Sequence, residues 1–196
     1  MDMKSESKTE DGYIKAHNLL MMEDGSMVLV GEFFRKTVSA LGVASRMLSK
    51  GGGGMAAAQA TIEDLFLLRI SSALKPTALE KIEKDKVRIN LLGEGMSVGL
   101  MARYVTYLGG YGYMYTDEGM DGNNNTIVAK GSFNDERYGT VAITVDPKKG
   151  FTQKRFSIEK EKKVSYHISK GKPGYVMISK YNSKEKTLSL NLEKVN

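Results

Sequence analysis

Along most of the chain, apolar residues alternate with polar ones or form short apolar runs, and turn residues separate these segments. The first case is HNLLMMEDGSMVLVGEFF (residues 17–34), in which Asp24 and Gly25 lie between two apolar runs. An Asp-Gly pair in this position is a strong hairpin signal, because both residues tolerate a left-handed backbone. The pattern predicts a mainly β chain with antiparallel strands.

The order of strands and turns recurs along the chain and indicates antiparallel four-strand repeat units. Segments around Val128 and Met177 are 49 residues apart, and those around Ala142 and Leu190 are 48 apart. This spacing is the size of one propeller blade. We therefore expect a single β-repeat domain over residues 13–196, with units at about 13–86, 111–163 and 164–196. A disordered tail is expected at residues 1–12.

Two stretches interrupt the first unit and are read as insertions, at about residues 36–61 and 87–110. The first contains four consecutive glycines at 51–54 and predicts a short helix with a flexible loop. In the second, Ser97 is a candidate N-cap, Met101, Tyr104 and Leu108 have helical spacing, and Gly109 is a candidate C-cap. This pattern predicts a helical insertion near residues 96–108.

The segments DGSMVLVGEFF, IEDLFLLRIS and TVAITVDPKKG together resemble blades of β-propeller-like repeats in uncharacterised exported bacterial proteins. The resemblance implies a partial β-propeller-like fold and carries over no catalytic residue. Three units fall short of the four to eight blades that close a propeller. A fragment, a propeller completed by another chain, a dimer that closes six blades and an open sheet capped by the helix are the alternatives.

The first twelve residues, MDMKSESKTEDG, are polar, so neither a signal peptide nor a membrane anchor is expected within them. The resemblance implies an exported or periplasmic location after removal of a leader; otherwise the expectation is a cytoplasmic protein. No membrane insertion is expected.

Charge and composition exclude some kinds of functional site and disfavour some partners. The chain has no cysteine, which excludes disulfides, thiolate nucleophiles and cysteine-based zinc sites. Residues 148–196 hold 13 lysines and arginines against 4 glutamates, although the whole chain has a net charge of only +6. Only seven of the 29 cationic residues are arginine, the residue preferred for bidentate phosphate recognition. A lysine-solvated sheet surface is favoured, and nucleic acid is the least favoured partner.

No catalytic set is evident. The two histidines, His17 and His167, fall at corresponding first-strand positions of two units, which indicates structural roles rather than a dyad. The glycine-rich segments lack the strand-to-helix context of a phosphate loop. We therefore predict no catalytic residue, no metal site and no cofactor, and the motifs favour a protein that is not an enzyme.

The densest chemical cluster is aromatic, with five of the ten tyrosines between residues 104 and 115. Tyr111, Tyr113 and Tyr115 would share one face of a strand and could stack on sugar rings. Packing of the second insertion onto the sheet is the favoured alternative. Asp117 and Asp121 follow, in a segment that resembles the start of a calcium loop but lacks its glycine and its glutamate. These five residues are the candidate ligand-binding set.

The sequence thus predicts a non-catalytic binding or scaffold module, part of a larger exported or envelope protein, with a protein partner or self-association. The alternative is a carbohydrate-binding or carbohydrate-active protein that uses the tyrosines as a platform.

Overall fold

The computed structural model describes residues 12–38, 40–48, 58–118, 125–130, 137–146, 150–159 and 161–195. The first sheet contains strands β1 (Tyr13–Met21), β2 (Met27–Val38), β3 (Ala58–Ile70) and β4 (Pro76–Ile82) in chain order. A fifth strand, β5 (Val87–Asn90), also pairs with β3, beyond the end of β4. All pairs in this sheet are antiparallel.

Two further sheets follow along the chain. The second contains β6 (Tyr113–Glu118), β7 (Asn125–Lys130), β8 (Arg137–Asp146) and β9 (Gly150–Glu159). The third contains β10 (Val164–Lys170), β11 (Tyr175–Asn182) and β12 (Thr187–Lys194). The prediction of a mainly β chain with antiparallel strands is confirmed. The sheets have five, four and three strands, so the described residues form a four-strand unit only in the second sheet.

The turns follow local sequence chemistry. At the predicted Asp24-Gly25 hairpin, Gly25 has a φ of +74°, and the backbone N–H of Ser26 donates to Asp24 Oδ1 at 2.9 Å. The β10–β11 turn uses Gly174 at a φ of +77°. Glycine adopts this left-handed conformation without the steric cost that a Cβ atom would add.

The described residues also include two helices, which lie between strands of this framework. Helix α1 (Ala40–Leu48) follows β2, and helix α2 (Val98–Tyr107) lies in the predicted helical range. Ser97 is the N-cap of α2, as predicted, and its hydroxyl accepts a hydrogen bond from the N–H of Leu100 at 3.4 Å. The first predicted insertion, at about residues 36–61, contains the end of β2 and the start of β3 as well as α1, and the second contains β5 as well as α2.

The three sheets pack face to face, with the second sheet in the middle. Ile127 and Ile143 face the first sheet and join a buried cluster with Val30 and Leu67. On the opposite face of the second sheet, a separate cluster links Val128 and Ala142 to the third sheet. Strands β7 and β8 are buried on both faces, which explains why their sequences are continuous apolar runs instead of alternating patterns. A third cluster holds α2 against the far end of the first sheet.

Among the described residues the strands form separate sheets and no closed barrel. The tail predicted to be disordered lies outside the described residues, apart from Gly12. No helix in the described ranges has the length and apolar character needed to cross a membrane.

Candidate functional site

The predicted tyrosine platform is divided between two faces of the second sheet. In β6, Tyr113 pairs with Ala129 and Tyr115 pairs with Val128, so Met114 is the extra residue of a β-bulge. Tyr113 therefore packs against the cluster between the first and second sheets, whereas Tyr115 packs against the cluster between the second and third. The prediction that these rings share one face is wrong, because the bulge changes the alternation of side chains.

Tyr111 and Tyr113 instead surround His17 of β1. The His17 ring stacks on Tyr113 with centroids 5.0 Å apart and meets the edge of Tyr111 at the same distance. Tyr111 is only 6% exposed, and its hydroxyl has no hydrogen-bond partner within the described residues. Burial and, secondarily, the nearby Glu32 charge raise the pKa of Tyr111 well above its usual value. These two rings are part of an interior packing arrangement.

At the centre of this arrangement is Glu32, which is fully buried. Its Oε1 lies 3.1 Å from His17 Nε2, and its Oε2 lies 3.2 Å from Lys84 Nζ. The backbone N–H groups of Gly112 and Tyr113 donate to the same carboxylate at 2.9 and 2.7 Å. Glu32 thus connects β1, the segment after β4 and the start of β6. We call His17, Glu32, Lys84, Gly112 and Tyr113 the Glu32 cluster.

The protonation of Glu32 is set by opposing effects. Burial, the largest effect, would raise its pKa, but the hydrogen bond from His17, the charge of Lys84 and the two backbone donors together lower the pKa below its ordinary value. Glu32 is therefore ionised at neutral pH. A buried carboxylate needs this number of partners, because an unpaired charge is very costly to remove from water.

The backbone irregularities of the first sheet create the space for this cluster. The β2–β3 register shifts between Glu32 and Phe34, which marks a bulge next to the carboxylate. Residues 83–86 leave the edge of the sheet between β4 and β5, and the N–H of Lys84 there donates to Asp64 Oδ1 at 3.4 Å. Sequence reasoning missed Glu32 and Lys84. The only local signal was a glutamate in the otherwise apolar run VLVGEFF.

Asp117 forms a second, smaller connection, between the second and third sheets. Lys170 Nζ lies 2.8 Å from its Oδ1, and the N–H of Gly174 donates to its Oδ2 at 3.0 Å. Burial would raise the pKa of Asp117, but the Lys170 ammonium and the Gly174 N–H outweigh burial and lower it. Beside it, burial and the Asp117 charge raise the pKa of Tyr115 to about 12.

The candidate ligand-binding set therefore does not converge within the described residues. Tyr111 and Tyr113 belong to the Glu32 cluster, Tyr115 and Asp117 lie at the other interface, and Asp121 lies outside the described residues. Ligand binding by these residues remains a prediction. The described residues contain no group of three or more His, Cys, Asp or Glu side chains arranged to hold a metal ion.

The outer face of the first sheet, turned away from the second sheet, has a different character. Leu19 pairs with Leu29, Leu29 with Leu68, and Leu68 with Leu79, so one leucine from each of four strands lies in a single row. We call these four residues the leucine row. Leu19 is 49% exposed and Leu79 is 63% exposed, although they flank the half-buried Leu29 and Leu68.

Further apolar residues extend this face on both sides of the leucine row. Met21 is paired with Met27, which is paired with Ile70 on β3. On the other side, the Phe66 ring covers Gly31, where an added Cβ atom would lie 2.5 Å from the ring. The ring centroids of Phe66 and Phe33 are 4.8 Å apart. A contiguous apolar face of this kind is unusual on a monomeric protein.

A family model matches the chain over residues 1–196. The chain belongs to DUF6770, a family of unknown function. No curated protein and no solved structure matches it.

The basic C-terminal part of this DUF6770 protein is used partly for internal contacts. Lys170 pairs with Asp117, Lys180 Nζ lies 2.6 Å from Glu161 Oε1, and Lys154 Nζ donates to the carbonyl of Lys194 at 2.6 Å. These lysines come from different strands and contact different partners. They do not form a stripe like those of nucleic-acid-binding surfaces.

Proposed function

We propose that this DUF6770 protein is a non-catalytic binding or scaffold module that packs the leucine row against an apolar surface of a partner protein. The observation that supports the proposal is the row itself, which crosses four strands on the side of the first sheet that no other described element covers. Burial of apolar area is the main favourable contribution to protein association.

The stacking of the sheets indicates the kind of partner. The second sheet is covered on both faces by neighbouring sheets, whereas the described residues cover only one face of the first sheet. The uncovered face has the leucines and phenylalanines typical of a sheet-to-sheet interface, where facing sheets lie about 10 Å apart. A sheet contributed by another chain would continue the stack. The partial β-propeller-like arrangement belongs to the same proposal, with the partner supplying further blades.

The role of the Glu32 cluster is consistent with a scaffold. Its carboxylate is enclosed and already contacts the His17 ring, the Lys84 ammonium and two backbone donors. The cluster holds β1, β2 and the start of β6 in a fixed relation. Because the strands are held in place, the four leucines of the leucine row keep fixed relative positions.

Site-specific photo-crosslinking in the native cells tests the proposal. A photoreactive amino acid at Leu79 should give a discrete adduct with one partner protein, and the adduct should be lost when Leu19→Lys is added. The same photoreactive residue at the exposed Thr152 of β9 is the matched control and should give no such adduct. If the photoreactive residue at position 79 gives the same adducts as the one at position 152, the leucine row is not a partner surface.

A further inference from the structure

The edge strand β12 of the third sheet is unusually open. All eight of its residues are exposed, and it pairs with β11 on one side with no other described strand on the other. In an antiparallel pair, the backbone groups of alternate residues point away from the partner strand. The free edge of β12 thus offers a row of backbone donors and acceptors to an additional strand.

The side chains of β12 divide cleanly between its two faces. Leu188, Leu190 and Leu192 lie on one face and are 63%, 59% and 53% exposed. Ser189 and Asn191 lie between them on the other face. The centre of the strand has no charge, no proline and no shift of register. Natural proteins use charges, prolines and bulges on edge strands to prevent edge-to-edge pairing. Because the centre of β12 has none of these, its edge is open to another strand.

The edges of the first and second sheets are protected. Strand β1 has a bulge between Ala16 and Asn18, and β6 has the bulge at Met114. Residues 83–86 interrupt the edge formed by β4 and β5, and β9 has Lys154 and Arg155 at its centre. Each device hinders the addition of a strand. Strand β12 has none of them.

We propose that β12 pairs antiparallel with β12 of a second copy of this chain, about a two-fold axis at Leu190. In this register Leu190 faces Leu190 of the second copy, and Leu188 faces Leu192 of the second copy. On the other face, Ser189 lies opposite Asn191 of the second copy. Each apolar residue meets an apolar residue, as an isologous interface requires. A shift by two residues would place Leu188 against a lysine.

The pairing also joins apolar residues of β11. Met177 is paired with Leu192, and Tyr181 is paired with Leu188. The combined six-stranded sheet would therefore have continuous apolar rows that run from Met177 of one copy to Tyr181 of the other. Burial of these rows stabilises the dimer beyond its backbone hydrogen bonds. This surface is separate from the leucine row, so the inference does not depend on the proposed function.

The charges at the two ends of the interface predict how dimer formation depends on salt concentration. The same register places Lys194 near Lys186 of the second copy, at both ends of the paired strands. Like charges opposite one another weaken strand pairing, and salt screens them. We expect the dimer to become tighter as ionic strength rises.

Sedimentation velocity over a concentration series tests the pairing. The unaltered chain should show a monomer–dimer equilibrium, and Leu190→Lys should raise the dissociation constant more than about tenfold, because the charge lies at the centre of the interface. Leu79→Lys, on the leucine row, is the matched control and should leave the equilibrium unchanged. A monomer at all concentrations overturns the inference, and so does a dimer that Leu190→Lys does not weaken.

A cross-link gives an independent check of the register, since the chain has no cysteine of its own. Directly opposite residues have Cβ atoms about 4.5–5.5 Å apart. Leu190→Cys should form a disulfide-linked dimer on mild oxidation, whereas Ser189→Cys, which lies opposite Asn191 of the second copy, should form far less. Equal cross-linking of the two variants would contradict the proposed axis. Circular dichroism verifies that both variants are folded.

Discussion

At the scale of single residues, the buried charge of Glu32 is the feature that is hardest to predict from the apolar pattern of the sequence. It lies in a strand whose neighbouring side chains are core residues, and it is stabilised by groups that are distant in sequence, namely Lys84 and the backbone at residues 112–113. Local turn and cap residues could be predicted, as Asp24-Gly25 and Ser97 demonstrate. A buried charge cluster depends on long-range contacts, and no local pattern determines them.

Removal of the Glu32 charge should destabilise the protein strongly. In Glu32→Gln, Lys84 stays buried without its carboxylate, a change that typically costs about 3–5 kcal/mol. Urea unfolding followed by circular dichroism measures the loss. Glu161→Gln, which removes an exposed carboxylate paired with Lys180, is the matched control and should lose much less. Similar losses in the two variants would mean that the Glu32 cluster does not stabilise the fold.

Glu32 should also affect how the stability of the protein depends on pH. Because folding lowers the pKa of Glu32 from its ordinary 4.5, the stability that it contributes is fully present above about pH 4.5. That contribution is lost as pH falls through the lower pKa of the folded state. Asp117, whose pKa is also lowered, acts in the same direction. Below pH 4.5, the unfolding free energy of Glu32→Gln should fall less steeply than that of the unaltered chain; parallel curves would contradict this assignment.

At the scale of elements, sequence pattern predicted strands, hairpins and helix α2 but failed at irregularities. The expectation that Tyr111, Tyr113 and Tyr115 share a face assumed an unbroken alternation of side chains. The bulge at Met114 places Tyr113 and Tyr115 in different clusters. A bulge arises from how one strand fits its neighbour, and the sequence of one strand does not specify that fit.

The N-cap of helix α2 provides a test of local prediction. Ser97→Ala removes the hydroxyl that accepts the N–H of Leu100, which typically costs about 1 kcal/mol at an N-cap. Ser97→Asp restores an acceptor and places a negative charge at the positive end of the helix dipole, so it should recover most of this loss. Thermal unfolding compares the three chains. Equal melting temperatures for the alanine and aspartate variants would show that the cap contributes nothing.

At the scale of the whole molecule, the described residues form a stack whose interior and ends differ. The second sheet is apolar on both faces because a sheet lies against each of them. The first sheet has an apolar outer face with no described element over it, and the third ends at an open strand. The repetition of strand order that the sequence suggests stays a prediction. The unequal numbers of strands could not be predicted, because pairing at the ends of each sheet depends on tertiary context.

The leucine row is the central element of this account, and its accessibility inside the native cells tests the account most directly. Since the chain has no cysteine, Leu79→Cys introduces a single thiol, and a membrane-permeable maleimide measures its exposure. Thr152→Cys, on the exposed β9, is the control. We predict that Leu79→Cys reacts rapidly in the purified protein and slowly in cells, while Thr152→Cys reacts equally in both. Equal reaction of Leu79→Cys in the two settings would contradict a partner on this face.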